Sequence, residues 1–295
     1  MPFLRTDHWR CAIIHAPLAE LLRAGSLNGF QVTTLPDIGD HRFLADPFGI
    51  WRDGRLYIFA EAYDYRNPKG VIEVLIYDRD GTLLTREEVL SEEWHLSYPY
   101  VFEHDGEIFL LPEAHASERL SLYRAKNFPF AWERVEEFNF PIGAVDATPL
   151  HYAGRWWMFW TPPEKSSRQD TLNISVADNL MGPWKSLGLF LKDRAGARPG
   201  GSPVVVDGEI FLPTQDCRET YGRGIRLLKV EGLDGDYPKV TPDVPLEPPA
   251  VLRNRFPDGF HTLSAAGQVT LIDVKRIGIG PKRDLMNMKR RLLKR

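Results

Sequence analysis

The sequence predicts an all-β chain folded as a five-bladed β-propeller with four-stranded blades, the ring being closed by the N-terminal strand. Three observations predict it. A unit of strand, Gly turn and strand recurs five times at a spacing of roughly 50 residues, the signature of a radial repeat. A further apolar strand follows four of the five units. The last unit lacks its outer strands, and the N-terminal segment reads as the missing third one.

In chain order, HWRCAIIHAP from His8 has the pattern of a third strand with no partner nearby in sequence. The first unit, DPFGIWRDGRLYIFAE, begins at Asp46, and the second, YPYVFEHDGEIFLLPE, at Tyr98. DATPLHYAGRWWMFWT follows from Asp146, GGSPVVVDGEIFLPTQ from Gly200 and, more weakly, GFHTLSAAGQVTLIDV from Gly259. The turn glycines are Gly54, Gly106, Gly154, Gly208 and Gly267. Asp-Gly at Asp53, Asp105 and Asp207 is a tight-hairpin signal, because such turns need positive φ that Asp tolerates and Gly takes freely. Third strands start near Val71, Leu120, Leu172 and Ile225, and two copies share an ending, Ala125-Lys126-Asn127 before Trp132 and Ala177-Asp178-Asn179 before Trp184. Pairing the N-terminal segment with the last blade would hide the open sheet edges. A β-sandwich explains the strand count but not this shared order.

The propeller should occupy residues 1–280, leaving 281–295 as a basic tail in which Lys282, Arg283, Lys289, Arg290, Arg291, Lys294 and Arg295 face only Asp284. Such a run is a solvated terminal helix or a weak contact for an acidic membrane surface or a polyanionic glycan. A net charge of −3 gives the body no nucleic-acid footprint. Cys11 and Cys217 have neither disulfide nor metal-ligand spacing and read as free thiols of a reducing compartment. With no signal-peptide pattern and no long apolar run, the expected setting is cytoplasmic. Phosphate-loop, zinc-protease and nucleophile-elbow motifs are lacking.

Repeat alignment maps the candidate site. Eight residues before the turn glycines stand Asp46, Tyr98, Asp146 and Gly200, with His261 close to that place in the fifth unit; seven residues after them stand Glu61, Glu113, Thr161 and Gln215. Carboxylates among such apolar strands must meet water, a cation, an Arg or a polyol, because burying a charge unpaired costs several kcal/mol. The structural alternatives are that Glu61 and Glu113 pair with Arg198 or Arg255, and that Asp46 and Asp146 cap strand backbones. Arg198 could equally hold a carboxylate or phosphate of a ligand.

Ala45-Asp46-Pro47 and Val145-Asp146-Ala147 resemble the five-bladed propeller glycoside hydrolases of the arabinanase and xylosidase type. FLADPF, YIFAEAYD, SYPYVF, LLPEA, DATPL and ADNLMGPW are similar, more closely, to the N-terminal propeller domain of plant glucosamine inositolphosphorylceramide transferases. The hydrolase resemblance implies a general base at Asp46, an orienting and pKa-tuning role at Asp146, and a cation beside His261. It fails at the acid: Gly200-Gly201-Ser202-Pro203 stands where those enzymes carry a Glu, so Glu113 or Glu61 would have to donate the proton. The expected catalytic set is thus Asp46, Asp146, Glu113 and Glu61, with Tyr98, Arg198, Gln215 and His261 binding the ligand, no catalytic metal and no cofactor beyond that structural cation. The expected function is action on a glycosidic bond; the alternative is a non-catalytic glycan or glycolipid module serving a separate transferase.

Overall fold

The computed structural model describes residues 5–235 and 237–279 and has five antiparallel sheets arranged as a five-bladed β-propeller. The basic tail, and any membrane contact it makes, lie outside the described residues.

The N-terminal strand β1 (Arg5–Ile14) leads through the short helix α1 (Leu18–Ala24) to β2 (Val32–Thr34). Blade one is β3 (Arg42–Arg52), β4 (Arg55–Asp64), β5 (Asn67–Tyr77) and β6 (Leu83–Leu90). Blade two is β7 (Ser97–His104), β8 (Glu107–Glu113), β9 (Tyr123–Asn127) and β10 (Ala131–Arg134); blade three is β11 (Val145–Tyr152), β12 (Arg155–Thr161), β13 (Thr171–Ala177) and β14 (Lys185–Lys192). Blade four departs from four strands, because its inner strand is broken into β15 (Arg198–Pro199) and β16 (Val204–Val206) before β17 (Glu209–Asp216), β18 (Gly224–Glu231) and β19 (Lys239–Leu246). Blade five joins the two ends of the chain in the order β2, β1, β21 (Val269–Ile279), β20 (Leu263–Ala266).

The Asp-Gly hairpins form as their chemistry requires: Asp53, Asp105 and Asp207 have φ of 49°, 50° and 52°, and the glycines after them are also left-handed. Closure of the ring is extensive. β1 pairs with β21 from Arg5 opposite Ile279 to Ile14 opposite Thr270. The two faces of β1 enter different cores: Ile14 packs with Leu263, Ile272 and Val274, whereas Cys11 and Ile13 pack with Ile58 and Leu271. The fourth strand β2, held by three residue pairs to β1, was not visible in the sequence. Both cysteines are buried free thiols. No helix among the described residues is long and apolar enough to cross a membrane.

Because β1 bridges two cores, removing one methylene from it should be felt by the whole ring. Ile13→Val should cost about 0.5–1.5 kcal/mol in the single global unfolding transition. A separate early transition, with the main one unmoved, would show that β1 is an appendage.

Candidate functional site

A repeated bulge builds the site. Blades one to three each break inner-strand register at the same place, between Ala45 and Phe48, Ser97 and Tyr100, and Val145 and Thr148. Within the bulges Asp46, Tyr98 and Asp146 adopt φ of 50°, 47° for the last, and 46° for Tyr98, a region that costs an L-residue roughly 1–2 kcal/mol. Strain repeated at three equivalent, buried polar residues marks a constructed site rather than an accident of packing. The bulges leave Ala45 opposite Glu61, Ser97 opposite Glu113 and Val145 opposite Thr161.

In the other two blades, counting from the turn misplaces the register. The break in blade four puts Arg198, not Gly200, opposite Gln215. Gly201 in that break has φ 145°, and a Cβ there would lie 1.8 Å from the Leu263 carbonyl oxygen, so the close approach of blades four and five requires glycine. In blade five Gly267 is the first rather than the second turn residue, since Ala266 faces Val269. The counterpart of Glu61 is therefore Lys275, which faces Gly259.

The side chains connect all five blades. Asp46 accepts from the Thr262 hydroxyl at Oδ1 (2.9 Å) and from the Tyr98 backbone N–H at Oδ2 (3.2 Å). The Tyr98 hydroxyl lies 2.8 Å from the Thr148 hydroxyl and accepts from the Gly201 N–H at 2.8 Å, so it is spent on the scaffold. Arg198 grips Asp146 with both edges of its fork, Nε to Oδ2 at 2.6 Å and Nη2 to Oδ1 at 3.1 Å, while Gln215 donates to Oδ2 at 2.7 Å. Asp146 is thus Arg198's partner; neither Glu61 nor Glu113 is, and Arg255 lies instead over the Phe256 ring.

Asp273, fully buried, was missed from sequence because it lies two positions before the register place in an apolar strand. It accepts from the backbone N–H groups of His261 (3.1 Å), Thr262 (3.0 Å) and Asp46 (3.0 Å), and His261 Nδ1 lies 2.7 Å from its Oδ2. His261 stacks on Trp9 with centroids 3.6 Å apart, and Lys275 Nζ sits 4.8 Å from the same indole, so strand β1 contributes to the site as well as to closure. Donor atoms of Asp46, His261 and Asp273 lie within 4.8 Å of one another, the geometry of a possible cation site. Three backbone N–H groups already donate to Asp273, and His261 Nδ1 lies against its Oδ2.

Above this network opens a cavity of about 360 Å³ whose wall includes Asp46, Glu61, Glu113, Arg198 and His261. Asp146, Gln215 and Tyr98 lie behind that wall. Phe43, Tyr63 and Tyr65 form an aromatic side, with Phe43 and Tyr63 stacked at 5.1 Å.

Of the four carboxyls that line the cavity, Asp7, Asp46, Glu61 and Glu113, the last three differ widely in proton affinity. Burial, and then the neighbouring charges of Asp46 and Glu113, push Glu61 well above the ordinary carboxyl range; its nearest cationic partner is His95 Nε2 at 3.6 Å, itself pushed towards neutrality by burial. Burial also raises Asp46, which His261 partly offsets, to about 6. Burial acts to raise Glu113 too, but His115 overcomes it through Nδ1 (2.6 Å) and its backbone N–H (2.8 Å), leaving the group at about 2. Glu113 is therefore held as an anion, Glu61 is shifted furthest towards the protonated form, and Asp46 lies between. Burial raises Asp146 and Arg198 opposes it; three N–H donors around one carboxyl fit only its ionised form.

Residues 33–261 match the family described as glucosamine inositolphosphorylceramide transferase 1, N-terminal. The chain is 32% identical over 253 residues to glucosamine inositolphosphorylceramide transferase 1 of Oryza sativa subsp. indica, covering 81% of this chain and 34% of that protein. The protein of the same name from Arabidopsis thaliana is 34% identical over 198 residues, 65% of this chain and 26% of the other. The chain thus spans about a third or less of these relatives. Among solved structures, the catalytic domain of a GH62 alpha-L-arabinofuranosidase from Coprinopsis cinerea superposes with a TM-score of 0.54 at 12% identity, covering 78% of this chain and 73% of that one, a likeness of fold.

Proposed function

The chain belongs to the glucosamine inositolphosphorylceramide transferase 1 N-terminal family, and from that premise we propose that its central cavity is a carbohydrate-active site acting on a glycosidic bond. One observation carries the reading: two buried carboxyls share one cavity wall in environments that raise Glu61 well above the ordinary carboxyl range and Asp46 only to about 6. Environments that push two acids apart in this way separate a proton donor from a proton acceptor. Glu61 protonates the leaving oxygen, and Asp46 removes the proton of the attacking water or hydroxyl. Glu113 cannot donate, since His115 keeps it ionised, and instead its charge helps to hold the proton on Glu61. Asp146 orients Arg198. His261, whose proton affinity is raised by Asp273 and Asp46 against the effect of burial, supplies positive charge beside the base. The relatives' name joins glucosamine to an inositolphosphorylceramide, so a sugar or the head of a glycolipid is the ligand class we assign.

A second reading, a glycan- or glycolipid-binding module without turnover, rests on one observation of its own. In blade four Arg198 and Gln215 face each other and lock Asp146, and Gly200-Gly201-Ser202-Pro203 stands where the resembling hydrolases carry a Glu. Glu61→Gln decides between them. If Glu61 is the acid, the substitution should slow oligosaccharide cleavage roughly 10²-fold and leave dinitrophenyl glycosides, whose leaving group needs no proton, within a few-fold of wild type. It should also raise the melting temperature at alkaline pH. A carboxyl whose folded pKa lies above its unfolded one contributes stability at low pH and loses it as pH rises through the folded value, and Gln removes that loss. No cleavage of either substrate class by wild type would leave the binding reading.

A further inference from the structure

Whether Glu61 keeps its proton depends on the residue that faces it, His95, in the segment 91–96 between β6 and β7. That segment is tied to the start of β5 at three points. Lys69 Nζ donates to the Glu92 carbonyl (2.6 Å), the Gly70 carbonyl accepts from the Leu96 N–H (3.0 Å), and the Gly70 N–H donates to His95 Nδ1 at 2.8 Å. Only glycine permits the approach, since a Cβ at position 70 would lie 2.3 Å from the Leu96 carbonyl oxygen and 2.9 Å from Glu61 Oε1.

A backbone N–H can only donate, so the Nδ1 that meets it must present its lone pair. The imidazole proton is then on Nε2, which lies 3.6 Å from Glu61 Oε1 on the wall of the central cavity. A second proton, on Nδ1, would set two N–H groups against each other, so charging His95 breaks the Gly70 bond. Burial also pushes this imidazole towards neutrality; Glu113 opposes that effect and His115 adds to it. Tyr63 meets the ring edge-on, with centroids 5.9 Å apart. The charged groups that act on Glu61 from the other elements are all acids: Asp46 on β3, Glu113 on β8, Asp273 on β21 and Asp146 on β11.

We propose that Gly70 locks His95 as its neutral Nε2–H tautomer, which makes His95 a positioning residue that turns a donor, and not a cation, towards Glu61. This rests on the reading of Glu61 as the proton donor and supplies what keeps it one. An imidazolium in the same place would favour the carboxylate, by roughly 1–3 pH units for an opposite charge within about 4–6 Å. With a donor facing Oε1, the carboxyl proton is favoured on Oε2.

Two nuclear magnetic resonance titrations of the full chain test it, and neither needs turnover. In protein labelled with ¹⁵N at histidine, His95 is assigned by the signals missing from His95→Gln. It should show a bare Nδ1 and a protonated Nε2, and keep that pattern as pH falls from about 8 to about 5, past the value near 6.5 at which a free imidazole titrates. In protein labelled with ¹³C at the glutamate carboxyls, Glu61 is assigned through Glu61→Gln. Its apparent pKa should move by less than about 0.5 in His95→Gln, because the amide replaces one neutral N–H by another, whereas loss of a cation would raise it by roughly 1–3. If His95→Gln does not fold, His95→Asn, whose amide oxygen can still accept from Gly70, replaces it in both titrations. An imidazole that gains a proton near pH 6.5, a proton on Nδ1, or a Glu61 pKa that rises by about one unit or more in the variant overturns the lock. Glycoside turnover, followed alongside, keeps the two readings apart. A locked His95 in a protein that cleaves nothing removes only the catalytic reading, and cleavage with a titrating His95 removes only the lock.

Discussion

Arg198→Met should lower the free energy of unfolding by about 3–5 kcal/mol, because it strips the counter-ion from a carboxylate that water cannot reach. Asp146 is 2% exposed and would keep only the Gln215 amide. The double variant Arg198→Met, Asp146→Leu should recover most of that loss, since exchanging both members of a buried ion pair for apolar groups is often neutral or better. Urea unfolding with unchanged m-values is the measurement. In the single variant Asp146 has a raised pKa when folded, so its stability should be present at low pH and fall as pH rises through that value. A loss below about 1 kcal/mol, or a double variant no better than the single, would mean that Asp146 is reached by water and that the ion pair is not structural.

The experiment also bears on why the fold was easier to read than the site. Hairpins are local: Asp53-Gly54, Asp105-Gly106 and Asp207-Gly208 announce themselves within two residues, and the apolar runs beside them set the blades. The N-terminal strand could be placed because blade five visibly lacked one. The turn-to-axis count picked out Asp46, Glu61, Tyr98, Glu113, Asp146 and Gln215, and with them Arg198 and His261 close to that register. A broken inner strand in blade four and a shifted turn in blade five hid the pairing of Arg198 with Gln215 and the place of Lys275. Asp273 and Trp9 were beyond the method, since their roles come from contacts across the closure rather than from any spacing. Partner choice was likewise illegible. Which carboxylate Arg198 meets is settled by where each bulge aims its side chain.

The same bulge fixes what Asp46 can do, and its removal should have the largest effect on turnover. The left-handed backbone at Asp46, the Thr262 hydroxyl on Oδ1 and the Tyr98 N–H on Oδ2 immobilise the carboxyl at the cavity wall. Asn preserves its shape and one acceptor oxygen but cannot take a proton. Asp46→Asn should therefore reduce glycosidic turnover roughly 10²–10⁴-fold with KM little changed, the pattern of an interaction made in the transition state. The pH profile gives an independent check. A base must be deprotonated, so wild-type kcat/KM should rise as pH passes through about 6, the value to which burial lifts Asp46. An acid must be protonated, so the rate should fall again at higher pH as Glu61 loses its proton. Residual activity of Asp46→Asn should lose the acidic limb and keep the alkaline one. If the cavity only binds, no glycoside turns over and the substitution should instead weaken glycan affinity by about 1–3 kcal/mol through the lost hydrogen bond. Wild-type turnover that survives Asp46→Asn with both limbs intact would take Asp46 out of the chemistry and leave its strained backbone as scaffolding for Tyr98 and Thr262.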